Sequence, residues 1–102
     1  MRTDVLHQPR IAFDAATVLT DVSTADEALF SGYRDRLAEL LGPSYLEDLL
    51  ATRAGLLAPG GAERCNVEAG RWRVRFEDAL RTRSGLAEGL RELTRATRGR
   101  LG

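Results

Sequence analysis

Apolar residues recur along this 102-residue chain at three- and four-residue intervals, and stretches bearing Gly and Pro interrupt them. That interval is the period of amphipathic helices packed on a common core. The first such stretch holds Ile11, Ala15, Val18 and Val22, spaced by 4, 3 and 4 residues. It predicts a helix over residues 11–22. A short strand competes with it, because Ile11 and Phe13 alternate and Thr17 to Thr20 is rich in β-branched residues. Residues 1–10, which include Pro9, read as a flexible N-terminal tail.

A second helix is expected over residues 25–41. Thr24-Ala-Asp-Glu27 has the form of a capping box, in which the Thr hydroxyl and the Glu carboxylate cap each other's backbone amides. Leu29, Tyr33, Leu37 and Leu40 form its apolar stripe, Phe30 and Leu41 widen it, and Gly42-Pro43 ends it. Ser44-Tyr-Leu-Glu47 repeats the box ahead of a helix over 45–57. There Leu46, Leu49, Leu50, Leu56 and Leu57 form the apolar face, and Arg53 interrupts it or snorkels from its edge.

Pro59-Gly60-Gly61 breaks the chain. Beyond it, Ala62, Cys65, Ala69, Trp72, Phe76 and Ala79/Leu80 make a heptad-like seam on a helix over 62–82. Off this seam, Glu68–Arg71, Arg73–Glu77 and Glu77–Arg81 are spaced to pair. A final helix over 85–98 carries the thinner stripe Leu86, Leu90, Leu93, Thr97 and Leu101. Gly85 and Gly89 weaken it by up to about 1 kcal/mol each relative to Ala, and fraying is expected from about residue 98. The pattern as a whole predicts an all-α fold, a compact bundle of three to four helices, with residues 11–102 forming a single domain. Its expected core is Leu29, Tyr33, Leu37, Leu40, Leu46, Leu49, Leu50, Cys65, Ala69, Trp72, Phe76, Leu80, Leu86, Leu90 and Leu93.

Composition adds little to this architecture but much to the surface. Hydrophobic residues make up 43% and charged residues 29%, which suits a folded globular chain. All 15 basic residues are Arg, a bias expected of a GC-rich genome and also one that favours forked contacts with carboxylate or phosphate. Net charge is zero, yet residues 1–57 hold five Arg against nine acids, and residues 58–102 hold ten Arg against six. From Arg71 onward nine Arg face four acids. Arg71, Arg73 and Arg75 surround the Trp72 seam, and Arg91, Arg95 and Arg98 form a second stripe. These six are the candidate interaction surface. Neighbouring basic stripes can neutralise phosphates in salt-sensitive binding. The heptad position of Trp72 assigns it to packing instead of base stacking.

Little else carries chemistry. Cys65 and His7 are the only Cys and the only His, so neither an intrachain disulfide nor a zinc site with several close ligands is expected. Asp26-Glu27 and Glu47-Asp48 are accounted for by helix N-termini, and Glu77-Asp78 by surface pairs. Pro59-Gly-Gly61 lacks the rest of a phosphate loop. No catalytic, metal-binding or cofactor-binding residue is assigned, and no cofactor is expected. The N-terminal residues lack the apolar core of a signal peptide, and no apolar run reaches the ~18 residues needed to span a bilayer. A cytoplasmic protein without membrane contact is therefore expected.

The order of landmarks resembles a group of small helical proteins and N-terminal helical modules of actinomycetes. They are Tyr33-Arg-Asp-Arg-Leu-Ala-Glu-Leu-Leu-Gly42, Leu46-Glu-Asp-Leu-Leu-Ala-Thr-Arg-Ala-Gly-Leu-Leu57, Ala69-Gly-Arg-Trp-Arg-Val-Arg-Phe-Glu-Asp-Ala-Leu80 and Leu86-Ala-Glu-Gly-Leu-Arg-Glu-Leu93. The resemblance covers about residues 29–98, and the polar start of this chain departs from the Ala-rich start common in the group. It implies a role in modular signalling or defence assemblies and carries over no catalytic residue. The expected function is thus a non-enzymatic protein-interaction or adaptor module that binds a protein partner or itself. The alternative is a small nucleic-acid-binding regulator using the Arg-rich C-terminal half.

Overall fold

The structure, a computed structural model, describes the backbone of residues 3–101 and the side chains of residues 8–101. Five α-helices follow one another: α1 (Thr3–Val22), α2 (Glu27–Leu41), α3 (Leu46–Leu57), α4 (Cys65–Thr82) and α5 (Leu86–Leu101). Short 3₁₀ turns, Pro43–Tyr45 and Gly61–Arg64, precede α3 and α4. The all-α expectation holds. The count of three to four helices does not, because the first apolar stretch is a full helix and not an accessory segment.

That first helix is the centre of the molecule. It packs most extensively on α4 and next on α5. Ile11, Ala15, Val18 and Val22 are all buried, and Ala12, Ala16 and Leu19 widen the buried face. The strand alternative fails because Phe13 is exposed and the threonines fit a helix. Thr17 Oγ1 donates to the Phe13 carbonyl at 3.0 Å and Thr20 Oγ1 to the Thr17 carbonyl at 2.8 Å, bonds back to the preceding turn that a helix offers. The helix also begins at Thr3 and contains Pro9, where a lead-in over residues 1–10 was expected. Proline removes one helical hydrogen bond but does not forbid the turns before it. The expectations for Met1, Arg2 and the His7 side chain lie outside the described residues.

Both expected capping boxes are replaced. Asp26 is the N-cap of α2, its Oδ1 accepting from the Leu29 amide at 2.8 Å, while Thr24 Oγ1 donates back to the Asp21 carbonyl at 3.1 Å. The box is displaced because Glu27 is already the first helical residue. Ser44 cannot cap α3, because Pro43 starts a 3₁₀ turn at once and draws Ser44 into it. Tyr45 stands at the cap position without a side-chain bond. At the other end of the chain, α5 runs to Leu101 instead of fraying from residue 98. Leu101 packs on the core, and Arg98 and Arg100 suit the negative end of the helix dipole.

One core joins all five helices, with Trp72, Phe76 and Leu80 of α4 fully buried against the small residues of α1. Of the expected core, Tyr33, Leu37, Leu49, Leu90 and Leu93 are likewise buried, and Leu29, Leu40 and Leu86 pack on its edge. Leu46, Cys65 and Ala69 are only half-buried. Leu50 is a correction: it is exposed, as are Leu57 and Ala62. Leu49 and Leu56 point inward, and positions 50 and 57 lie about 100° around the helix from them. Gly61 shows what sets the α3–α4 connection, because a Cβ there would meet the Leu56 carbonyl oxygen at 2.3 Å. The turn thus lies directly on the end of α3, an approach only glycine permits.

Candidate functional site

Three surfaces carry the functional question: the α3–α4 side, the α5 stripe and the outer face of α3. The α3–α4 side is a continuous polar network built on a buried indole. Trp72 Nε1 donates to Thr52 Oγ1 at 2.9 Å, and the Thr52 hydroxyl donates to Glu68 Oε1 at 3.3 Å. Glu68 is 9% exposed and accepts from Arg71 Nε at 3.3 Å and Arg71 Nη2 at 3.2 Å. Arg71 reaches on to Asp48 Oδ1 at 3.0 Å, and Arg75 Nη1 donates to Asp48 Oδ2. The Arg75 guanidinium then lies 4.7 Å from the Tyr45 ring centroid and 5.1 Å from that of Trp72, which closes the circuit. Tyr45 and Phe76 flank Trp72 at centroid distances of 6.2 and 5.7 Å.

The network satisfies polar groups that would each cost about 1–3 kcal/mol if buried alone. Asp48 and Thr52 are four residues apart on α3, and Glu68, Arg71, Trp72 and Arg75 share one face of α4. The hydrogen bond to Asp48 is the main reason the Arg71 guanidinium is held above its usual range; partial desolvation opposes it and the bond to Glu68 adds to it. Arg53 is held in a comparable way. Its Nη1 donates to the carbonyls of Ser23 at 3.2 Å and Ala25 at 3.0 Å, and its guanidinium lies 4.5 Å from the Phe30 centroid. The residue that interrupts the apolar stripe of α3 is thus a clasp on the α1–α2 connection.

These contacts divide the candidate interaction surface. Arg71 and Arg75 are bound internally. Arg73 is exposed, but the expected Arg73–Glu77 and Glu77–Arg81 pairs do not form; Arg81 pairs with Asp78 instead. Arg91, Arg95 and Arg98 are exposed on α5. Arg91 and Arg95 meet Glu88 at 3.7 Å and Glu92 at 3.3 Å, and Arg98 has no carboxylate within 4 Å among the described residues. The three line a groove of about 320 Å³ between α1 and α5, opposite Arg10 and Asp14.

Beyond the exposed Glu47 of its first turn, the outer face of α3 is apolar. Leu50 is 46% and Leu57 53% exposed, with Ala51, Ala54 and Ala58 exposed beside them. Phe13, Val67 and Val74 are exposed singly on other helices. Among the described residues, two buried hydroxyls, Ser23 Oγ and Tyr33 Oη, have no partner, and burial pushes the Tyr33 phenol well above its ordinary pKa. Cys65 is half-buried. Among the described residues, no helix is long and apolar enough to cross a membrane.

The sequence reading missed Asp48, Thr52 and Glu68 as a unit. Their spacing on each helix was visible, but the pairing of α3 with α4 across 16 residues was not. No family model matches the chain, and no curated protein or solved structure is significantly similar to it.

Proposed function

We propose that the protein is a non-enzymatic helical interaction module that pairs with a second copy of itself through the outer face of α3. The exposed stripe Leu50, Ala54 and Leu57 carries this reading. These residues stand at i, i+4 and i+7, the spacing of a straight apolar seam. The stripe is nearly symmetric about Ala54, so an antiparallel copy sets Leu50 against Leu57 of the other chain and brings the two Ala54 residues together at the two-fold axis. Self-complementarity of this kind is what a two-fold interface requires. Within the seam from Leu50 to Leu57 the only charged residue, Arg53, is turned inward onto Ser23 and Ala25, and the exposed Glu47 stands one turn before Leu50, at the rim of the face.

A helix of 12 residues is about 18 Å long. The face therefore falls below the roughly 800 Å² per partner of a standard interface, and association in the micromolar range is expected. The resemblance to actinomycete modules supports a place in a signalling or defence assembly. The nucleic-acid alternative draws its support from the α5 stripe and the exposed Arg73, since Asp48 engages Arg71 and Arg75.

Sedimentation equilibrium over micromolar concentrations tests the reading. The wild-type chain is expected to dimerise, and Leu50→Glu with Leu57→Glu to yield a helical monomer. A wild type that stays monomeric over that range, or a double variant that still dimerises, would overturn the proposal.

A further inference from the structure

The groove between α1 and α5 has a composition that packing does not explain. Arg10 stands on one wall and Arg91, Arg95 and Arg98 on the other, and the cavity they enclose is about 320 Å³. Its floor includes Ile11 and Thr94, both nearly buried. On α5 the three arginines stand at i, i+4 and i+7, so they repel one another, and each like-charged neighbour pair on a helix costs a few tenths of a kcal/mol. One carboxylate lines the groove, Asp14, with 34% of its side chain exposed, and its ion pair is with Arg10 across the groove from the α5 arginines. Arg10 meets Asp14 at 3.6 Å, and its side chain is 77% exposed. The partners of Arg91 and Arg95, Glu88 and Glu92, are 74% and 61% exposed. Ion pairs of that kind contribute about 0–1 kcal/mol and exchange readily for a better anion.

We infer that this groove is a binding site for a small anion with more than one phosphoryl group, a diphosphate ester or inorganic pyrophosphate. Guanidinium groups present planar forks that match phosphate oxygens two at a time. The rise from Arg91 to Arg98 is about 10.5 Å, long enough for two guanidiniums to grip adjacent phosphoryl groups while Arg10 closes from the opposite wall. The volume lies at the small end of the range for small-molecule sites. Negative charge follows Arg10 along α1: Asp14 lines the groove wall and Asp21 is exposed further along that helix. A nucleic acid strand needs a basic track that continues, and between Ile11 and Val22 α1 carries no further Arg.

Titration of the ¹⁵N-labelled wild-type chain with inorganic pyrophosphate tests the site directly. Saturable shifts confined to the amides around Arg10–Asp14 and Arg91–Arg98 are expected. The double variant Arg95→Ala/Arg98→Ala should lose at least about tenfold in affinity, and Arg73→Ala, outside the groove, none. Parallel arms use ADP and phosphatidylcholine vesicles with or without phosphatidic acid. Binding of ADP but not of vesicles assigns the phosphate to a soluble ester. Vesicle binding that pyrophosphate displaces assigns it to a lipid headgroup at the same site. Absent or dispersed shifts, an unchanged affinity in the double variant, or binding of a single-stranded oligonucleotide that pyrophosphate does not displace would each overturn the inference.

Discussion

Arg71 and Arg75 on α4 and Arg91 and Arg95 on α5 are the same motif, two guanidiniums four residues apart, with opposite fates. On α4 both converge on one carboxylate, Asp48, that a neighbouring helix supplies. On α5 each meets only an exposed Glu three residues earlier on its own helix, and the groove before them stays open. The difference lies in what the facing helix offers. α3 contributes an acid and a hydroxyl at i and i+4, while α1 contributes Arg10 with Asp14. A basic stripe therefore becomes a fastener or a receptor according to its neighbour, and its own spacing does not distinguish the two.

Three substitutions break or sharpen this contrast. The largest effect is expected of Trp72→Ala, which removes a fully buried ring and the first donor of the α3–α4 network. A loss of about 3–5 kcal/mol in urea denaturation follows from large-to-small replacement in a core. Next is Thr52→Val, which keeps the shape but strands the Trp72 N–H and removes a donor from Glu68. About 1–3 kcal/mol should be lost, and an unchanged midpoint would mean that the network does not hold the two helices together.

The smallest effect on stability, about 0–1 kcal/mol, is expected of Asp48→Ala, since its arginine partners are 46% and 36% exposed. It should nonetheless convert one stripe into the other. With Arg75 released and Arg71 held by Glu68 alone, the variant should elute from a heparin column at higher salt than the wild type. Equal elution would show that Asp48 is not what withholds these arginines from anions.

How far the sequence was legible differs from helix to helix. The seam Trp72, Phe76 and Leu80 was readable because large apolar residues recur there at four-residue intervals on one face and all three are buried, whereas the small residues at its start, Ala62, Cys65 and Ala69, are exposed or half-buried. On α3, leucines occupy both the inner and outer faces, so the same reading placed Leu50 in the core although it is exposed. Apolar character marks what is able to be buried, but a helix flanked on one side only leaves the rest to solvent. The α1 stretch reads as a helix over residues 11–22, which it is, but Pro9 argued for a late start, and nothing in the period marked it as the helix on which α4 and α5 pack. Tertiary packing outweighs weak local propensity. Of the six candidate arginines, the period placed each on a face, and only the facing helix decided which remained open.

The sequence by itself determined the helical class, the breaks at Gly42-Pro43 and Pro59-Gly60-Gly61, and the buried indole seam. Those depend on backbone preference and on a period of 3.6 residues, both local properties. The tertiary structure decided that α1 is central, that Asp48 and Thr52 tie α3 to α4, that Leu50 and Leu57 face outward, and that Arg91, Arg95 and Arg98 line a groove with Arg10. Each of these depends on which side chain arrives across a gap from another helix, a relation that spacing within one helix does not encode.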